Sequence, residues 1–288
     1  MAVVYATGIC ALDSGIRARQ LAPLLEGLGE DPRVAAVVLR VDSPGGDALA
    51  ADLVAAALLR LRQSKPVVVS QGYVAASGGY WLSMYADAIV AAPLTVTGSI
   101  GVIGGWVYDR GLKGRLGLST DKVQVGEHAD LAFGMWLPLL GLRLPDRNLN
   151  DEERARQEGA IRALYGDFIA QVAAGRDRPV DEVESLAQGR VWSGTAAAGN
   201  GLVDEIGGLE RAVQLAAAKA GLEADTQVEW VEMPARPLFN RQALSPALLG
   251  VETLPPRLPP TLEFRLRRSG EPLVLLPLEL AAGLGLFE

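Results

Sequence analysis

Two short stretches of this chain hold residue types that suit nucleophilic chemistry. In "YVAASGGYW", Tyr73 to Trp81, one hydroxyl, Ser77, stands between two alanines and two glycines, just after the apolar run "PVVVS". In "VDSPGGDA", Gly45 and Gly46 follow a β-rich run and open an alanine- and leucine-rich stretch. A serine becomes a good nucleophile only when a base takes its proton. The charge that then develops on the attacked carbonyl needs fixed N–H donors. A serine at a helix start lies beside amides that lack intrahelical partners, and glycine neighbours let a substrate carbonyl approach the backbone. If the two glycine-bearing turns follow neighbouring strands, they can contribute amides to one oxyanion hole. The competing reading makes "AASGG" a tightly packed helix start, with Ser77 one small residue of a packing surface. Composition and spacing leave both open.

Other glycine clusters carry less. "SPGG" is not followed by the "GK[ST]" of a phosphate loop, and "TGSIGVIGG" lacks the spacing and trailing acid of a dinucleotide fingerprint.

The elements that must position these turns alternate along the chain. Ala2–Gly8, Val34–Ser43, "KPVVVSQG" and "DAIVAAP" read as strands. "RARQLAPLLEGLGEDPR" and "DALAADLVAAALLRLRQS" read as the helices between them, and "AASGGYWLSMYA" as a buried helix. Further on, a strand is expected at Val123–Val125 and another near Val191. A long helix should follow Asn150, where Glu153 completes a capping box, and a last helix should begin near Leu209. Strands alternating with crossover helices imply an α/β fold with a largely buried parallel sheet. Nine of the 17 prolines lie beyond Asp225. Residues 1–224 are therefore expected to form one domain, and 225–288 a proline-rich extension of uncertain structure.

Composition narrows the functions. The 288 residues are 49 % apolar, enough for a sizeable core, and carry a formal charge of −7 with no basic block, which argues against nucleic-acid binding. The single cysteine, Cys10, excludes an intramolecular disulfide and a thiolate metal cluster. The single histidine, His128, argues against a His-based metal site. No metal or organic cofactor is expected. The N-terminus lacks the basic region of a signal peptide, and no run of 18 apolar residues predicts a membrane span.

Four segments, "VVLRVDSPGG", "KPVVVSQGYVAASGGYWLSMYADAIVA", "TVTGSIGVIG" and "AQGRVWSGTAAAGNGLVDEIGGLERAV", resemble the signal peptide peptidase A family, the S49 serine peptidases. The resemblance covers about residues 2–222 and implies a ClpP/crotonase-like fold. It puts the nucleophile at Ser77 and the oxyanion donors at the backbone amides of Gly46 and Gly78. It implies a Ser-Lys dyad, with cleaved signal peptides and other apolar peptides as substrates. It further implies self-association into a ring or bowl and a place at the membrane; otherwise the chain is expected in the cytoplasm.

The chain departs from that pattern at the base. Its only lysines are Lys65, Lys113, Lys122 and Lys219. In single-domain members the catalytic lysine would align near Glu127 to Asp130, which here reads "EHAD". The chain resembles the carboxy-terminal half of tandem members, whose amino-terminal half supplies the lysine. A lysine from another domain or chain is therefore expected. Lys65 reads as a helix-end cap, Lys113 and Lys219 as solvated charges, and Lys122 as a residue before a short strand. His128 reads as a hydrogen-bonded surface residue or a substitute base. Ser99 reads as a turn residue bordering the site, Tyr80 and Trp81 as packing residues, and Asp42 as an acceptor near the "SPGG" turn or a surface acid. The apolar run Met135, Trp136, Leu137, Leu139 and Leu140 reads as core or as an oligomer contact. The alternatives to a peptidase are a non-catalytic scaffold or peptide-binding subunit and a crotonase-like acyl-thioester enzyme.

Overall fold

The computed structural model describes residues 1–131, 133–137, 142–223, 229–233, 264, 265, 268 and 270–275. In chain order the elements are β1 (Ala2–Thr7), α1 (Ala18–Glu30), β2 (Val37–Ser43), β3 (Gly45–Asp47), α2 (Ala48–Arg62), β4 (Val67–Ala76), α3 (Gly78–Trp81), β5 (Ala88–Ala91) and β6 (Val96–Gly98). There follow α4 (Leu112–Arg115), β7 (Gly134–Leu137), β8 (Leu142–Pro145), α5 (Asp151–Arg176), α6 (Val180–Leu186), β9 (Val191–Ser193) and α7 (Gly194–Gly199). The last are β10 (Glu205–Ile206), α8 (Leu209–Lys219), β11 (Val231–Met233) and β12 (Leu273–Leu275).

The strands β1, β2 and β4 are rich in β-branched residues and mostly buried because both faces of their sheet are covered. Strand order is β10-β5-β4-β2-β1-β11, and every adjacent pair is parallel. Val4, Leu39, Val69 and Ile89 point to one face, where Leu25 of α1, Leu58 of α2, Trp81 of α3 and Phe168 of α5 complete a core. Val3, Val38, Val68 and Val90 point to the other face, under Val213 and Ala216 of α8. Trp81 stacks on Phe168 with ring centroids 4.3 Å apart. Both rings are buried, and loss of such a ring to alanine costs about 3–5 kcal/mol. This contact fixes α5 behind the short helix that follows Ser77.

One irregularity decides where that serine goes. The lower half of β4 pairs with β5 (Val68↔Ala88 to Gln71↔Ala91), whereas the upper half pairs with β6 (Val74↔Val96 to Ala76↔Gly98). On its other side, β4 shifts register against β2 between Val41↔Gln71 and Ser43↔Ala75. The additional β4 residues bulge outward around Gly72 and Tyr73, re-aiming the strand. Asp42 stabilises the bulge: its carboxylate accepts from Val74 N at 3.1 Å and Tyr73 N at 3.4 Å. Of the two roles open to Asp42, the structure takes the acceptor role.

The long helix α5 starts as expected, with Glu153 N donating to Asn150 Oδ1 and Asn150 N donating to Glu153 Oε2, both at 2.8 Å. Two expectations fail. Val123–Val125 forms no strand; Val123 and Val125 are exposed in a loop, with no strand of the described residues alongside to take their alternation. "AASGGYWLSMYA" is not one helix: its first residues finish β4, and α3 is a single turn followed by tight turns. In the apolar run, Gly134–Leu137 is one arm of a hairpin with β8, and Trp136 is half exposed. Leu139 and Leu140 lie outside the described residues. Two strands come from the extension: β11 joins the sheet edge beside β1, and β12 pairs with β3.

Candidate active site

Ser77 sits at the junction of β4 and α3 with φ 54° and ψ −114°. A non-glycine residue with positive φ is strained, typically by about 1–3 kcal/mol, and persists only where its surroundings hold it. Here Ser77 N donates to Gly98 O at 2.7 Å, and Trp81 N donates to Ser77 O at 2.9 Å as the first bond of α3. That bond leaves the amides of Gly78, Gly79 and Tyr80 without intrahelical partners. Among the described residues, the hydroxyl has one contact of hydrogen-bond type, to Gly101 O at a long 3.4 Å.

The two glycine turns meet, because β2 and β4 are neighbours. A Cβ on Gly45 would lie 2.7 Å from Gly78 N, and one on Gly78 would lie 3.0 Å from Gly45 Cα. Only glycine permits this approach. Gly45 and Gly46 have φ of 96° and 154°, and Cys10 brackets them: Cys10 N donates to Gly45 O and Asp47 N donates to Cys10 O, each at 2.8 Å. Ser43 Oγ accepts from Gly45 N at 3.2 Å and contacts Cys10 Sγ at 3.4 Å. Burial pushes the Cys10 thiol up to about 12, outweighing the opposing Ser43 contact. Cys10 is thus a neutral packing residue beneath the glycines and not a rival nucleophile. Its bracketing role, like that of Ser43, carried no signal in the sequence.

Ser99, also at positive φ, donates its amide to Arg190 O at 2.7 Å and borders the site as expected. A cavity of about 650 Å³ opens beside Ser99 and Gly101, with Ile161, Arg162, Tyr165 and Glu184 on its far walls. Tyr80 and Trp81 are buried packing residues, and Tyr80 Oη donates to Leu202 O at 2.8 Å.

None of the candidate bases is aimed at Ser77. Lys65 donates to Asp31 O at the end of α1, the helix-end role read for it. Lys113 pairs with Asp146 at 2.7 Å, and Lys122 with Asp130 at 2.5 Å. Lys219 ends α8, which packs on the opposite face of the sheet from Tyr80 and Trp81. His128 Nδ1 is 2.7 Å from Glu153 Oε1, within an ionic cluster in which Arg147 binds both Glu153 and Asp130. Arg147 holds both carboxyls well below the usual carboxylate range. Among the described residues, Glu127, His128 and Glu152 are the only group placed to share a metal, with donor atoms within 4.8 Å. Both glutamates are exposed.

The family model for peptidase family S49 matches residues 60–223, a stretch that includes β4, Ser77 and the wall at Ser99–Gly101. The chain belongs to peptidase family S49. The fold agrees with that membership: a ClpP/crotonase-like α/β arrangement, with a largely parallel sheet and flanking helices. The chain is 39 % identical over 220 residues to "Serine protease SPPA, chloroplastic" of Arabidopsis thaliana, covering 76 % of this chain and 31 % of that protein. It is 40 % identical over 194 residues to "Protease 4" of Salmonella typhi, covering 67 % of this chain and 29 % of that protein. A putative protease of Synechocystis sp. is 35 % identical over 254 residues, covering 85 % of this chain and 86 % of the relative. This S49 chain thus spans under a third of the first two relatives and most of the third. No described helix is long and apolar enough to cross a membrane.

Proposed function

We propose that the chain is a serine endopeptidase acting through Ser77 on extended apolar peptides, cleaved signal peptides among them, with its general base supplied by another domain or chain. The observation that carries this reading is the convergence of three features: a strained serine turn, the Gly45–Gly46 turn touching it, and the commitment of the chain's lysines elsewhere. The incoming neutral lysine removes the Ser77 Oγ proton as Oγ attacks the scissile carbonyl. Amides of Gly46 and Gly78 take the negative charge of the tetrahedral intermediate. The ammonium then protonates the departing amine, and water hydrolyses the acyl-enzyme by the same relay. The Ser77 hydroxyl leans toward Gly101, which lines the cavity. That cavity is the side from which the base is supplied.

Self-association and membrane placement belong to the same proposal. Leu112, Leu116, Val123, Val125, Phe133 and Trp136 expose apolar side chains along the segment between β6 and α5, a density suited to contacts between copies or with a membrane-bound partner.

The test is labelling by a fluorophosphonate probe, with and without a lysine-bearing homologous domain. The expected result is labelling that requires the partner and disappears in Ser77→Ala. Ser77-dependent peptidase activity of the purified chain alone would remove the need for a partner. The rival reading, a non-catalytic scaffold or peptide-binding subunit, is favoured by the unaided hydroxyl and predicts no labelling under either condition.

A further inference from the structure

Ser77 is fully buried, so a peptidase reading requires that something above it move. The structure places there a segment of the chain's own extension. Strand β12 runs antiparallel to β3, with Leu273 opposite Asp47, Val274 opposite Gly46 and Leu275 opposite Gly45. Its other edge is bound too: Ile103 N donates to Leu273 O at 2.8 Å and Leu273 N donates to Ile103 O at 2.7 Å. Gly270 N donates to Gly105 O at 2.5 Å, and Gln157 Nε2 to Gly270 O at 3.1 Å. The segment therefore lies between two backbone edges, one carrying the oxyanion glycines and one the wall beside Ser77. The carbonyl of Val274 lies against the glycine junction, 2.2 Å from where a Cβ on Gly45 would be and 3.1 Å from one on Gly78. Leu273 and Val274 are buried. Arg268 ties the segment down, reaching Asp47 Oδ2 at 2.8 Å and Glu271 Oε2 at 2.7 Å. Asp47 immediately follows Gly46 and caps α2 through Leu49 N.

An extended peptide bonded on both edges, with a carbonyl at the meeting point of the glycine turns, is the arrangement that strand addition gives a bound substrate. We infer that Gly270–Leu275 is an internal pseudosubstrate strand that fills the peptide groove in cis, latched by Arg268 to Asp47. Peptide substrates must displace it. The inference rests on the reading of this groove as the peptidase site. It adds the direction of the bound strand, antiparallel to Gly45–Asp47, and a requirement for two successive apolar residues at the Leu273 and Val274 positions. Because the occupant is tethered, an incoming peptide competes with an intramolecular partner at high effective concentration.

The probe is a fluorescent peptide, Gly-Glu-Pro-Leu-Val-Leu, copying residues 270–275. It is titrated by anisotropy against the full chain carrying Ser77→Ala, and against the same chain with Val274→Asp or Arg268→Ala added. A protein with its groove open in under a tenth of molecules shows affinity weakened at least about tenfold. Val274→Asp, which puts a charge into the buried slot, should restore about that factor. Arg268→Ala, at a partly exposed side chain, should act in the same direction by less. If Val274→Asp fails to fold, as judged by near-ultraviolet circular dichroism, Arg268→Ala decides alone. Unchanged affinity in the folded variants overturns the inference. Fluorophosphonate labelling of the same variants, with Ser77 restored and the lysine-bearing homologous domain present, reads the other question. Raised affinity without labelling leaves the pseudosubstrate standing and removes the nucleophile. Labelling without raised affinity does the reverse.

Discussion

Replacing Gly46 with alanine tests the oxyanion geometry most directly. The new Cβ would lie 2.3 Å from Cys10 O and 2.9 Å from Cys10 N. Ordinary contact begins near 3.4 Å, so either β3 or the Cys10 segment must move by about 1 Å, a displacement that costs about 10²-fold in rate where reacting groups are aligned. Cys10 is fully buried and bonded to Gly45 O and Asp47 N, so the shorter β3 gives way and carries its amide with it. Loss of one oxyanion donor costs about 10²–10³-fold. Backbone strain at this φ adds about 1–3 kcal/mol of instability, within the usual 5–15 kcal/mol of a folded domain.

The assay is the second-order rate of fluorophosphonate labelling of Ser77, relative to the parent chain and with the same lysine donor present. The phosphonyl oxygen sits where the oxyanion would form. Gly46→Ala is expected to slow labelling by about 10²-fold with the fold retained. Gly27→Ala is the control. Gly27 lies within α1, where a Cβ meets nothing within 4 Å. It should leave labelling unchanged and stabilise the helix by about 0.5–1 kcal/mol. A folded Gly46→Ala chain that labels at the parent rate would refute the reasoning, because the displaced amide would then have no part in stabilising the charge.

Asp42→Ala removes the acceptor for the buried Val74 amide and should lower the urea unfolding free energy by about 1–3 kcal/mol; an unchanged midpoint would mean that the bulge holds itself. Cys10, buried and with its thiol pushed up to about 12, should resist iodoacetamide at pH 8 until the chain unfolds, and rapid alkylation of native protein would contradict its position. Arg147 holds Glu153 and Asp130 below the usual carboxylate range. Depressed folded values stabilise above the unfolded values near about 4 and lose that contribution as pH falls further. Protection of the amides of residues 128–131 and 142–147, measured against their intrinsic exchange rates, should therefore fall below about pH 4, and protection unchanged down to about pH 3 would show that these ion pairs do not hold the segment.

The strands β1, β2 and β4 were legible because continuous β-branched runs mark strands buried on both faces, and α5 because its capping box is entirely local. The touching of the "SPGG" and "ASGG" turns was legible as an expectation once adjacent strands were assumed. Val123–Val125 was misread because a short alternation signals a strand only if another strand lies alongside, which three residues cannot reveal. The split pairing of β4 was hidden for a related reason: "SQGYVAA" looks the same whether it ends a strand or bends it, and the choice is made by Asp42, some thirty residues earlier in the chain. Strand β12 was least visible. "EPLVLLP" lies in a proline-rich stretch, and its pairing depends on a groove assembled from β3 and Ile103, far away in sequence.

The proposed division of the site follows from what each part demands. An oxyanion hole must be fixed to fractions of an ångström, and the backbone can fix it only if chain segments approach without side chains between them. Gly45, Gly46 and Gly78 meet that demand, held by bonds from Cys10, Ser43 and the Gly98 turn. A general base has a looser requirement: one neutral nitrogen within reach of one hydroxyl, on any rigid support. The first requirement cannot be met from outside the chain, whereas the second can. An intact glycine junction beside a serine whose hydroxyl makes, among the described residues, a 3.4 Å contact to Gly101 O is therefore what the proposed nucleophile-bearing chain would look like. A decayed site would be expected to lose the strained φ at Ser77 first, since nothing but function repays holding it there.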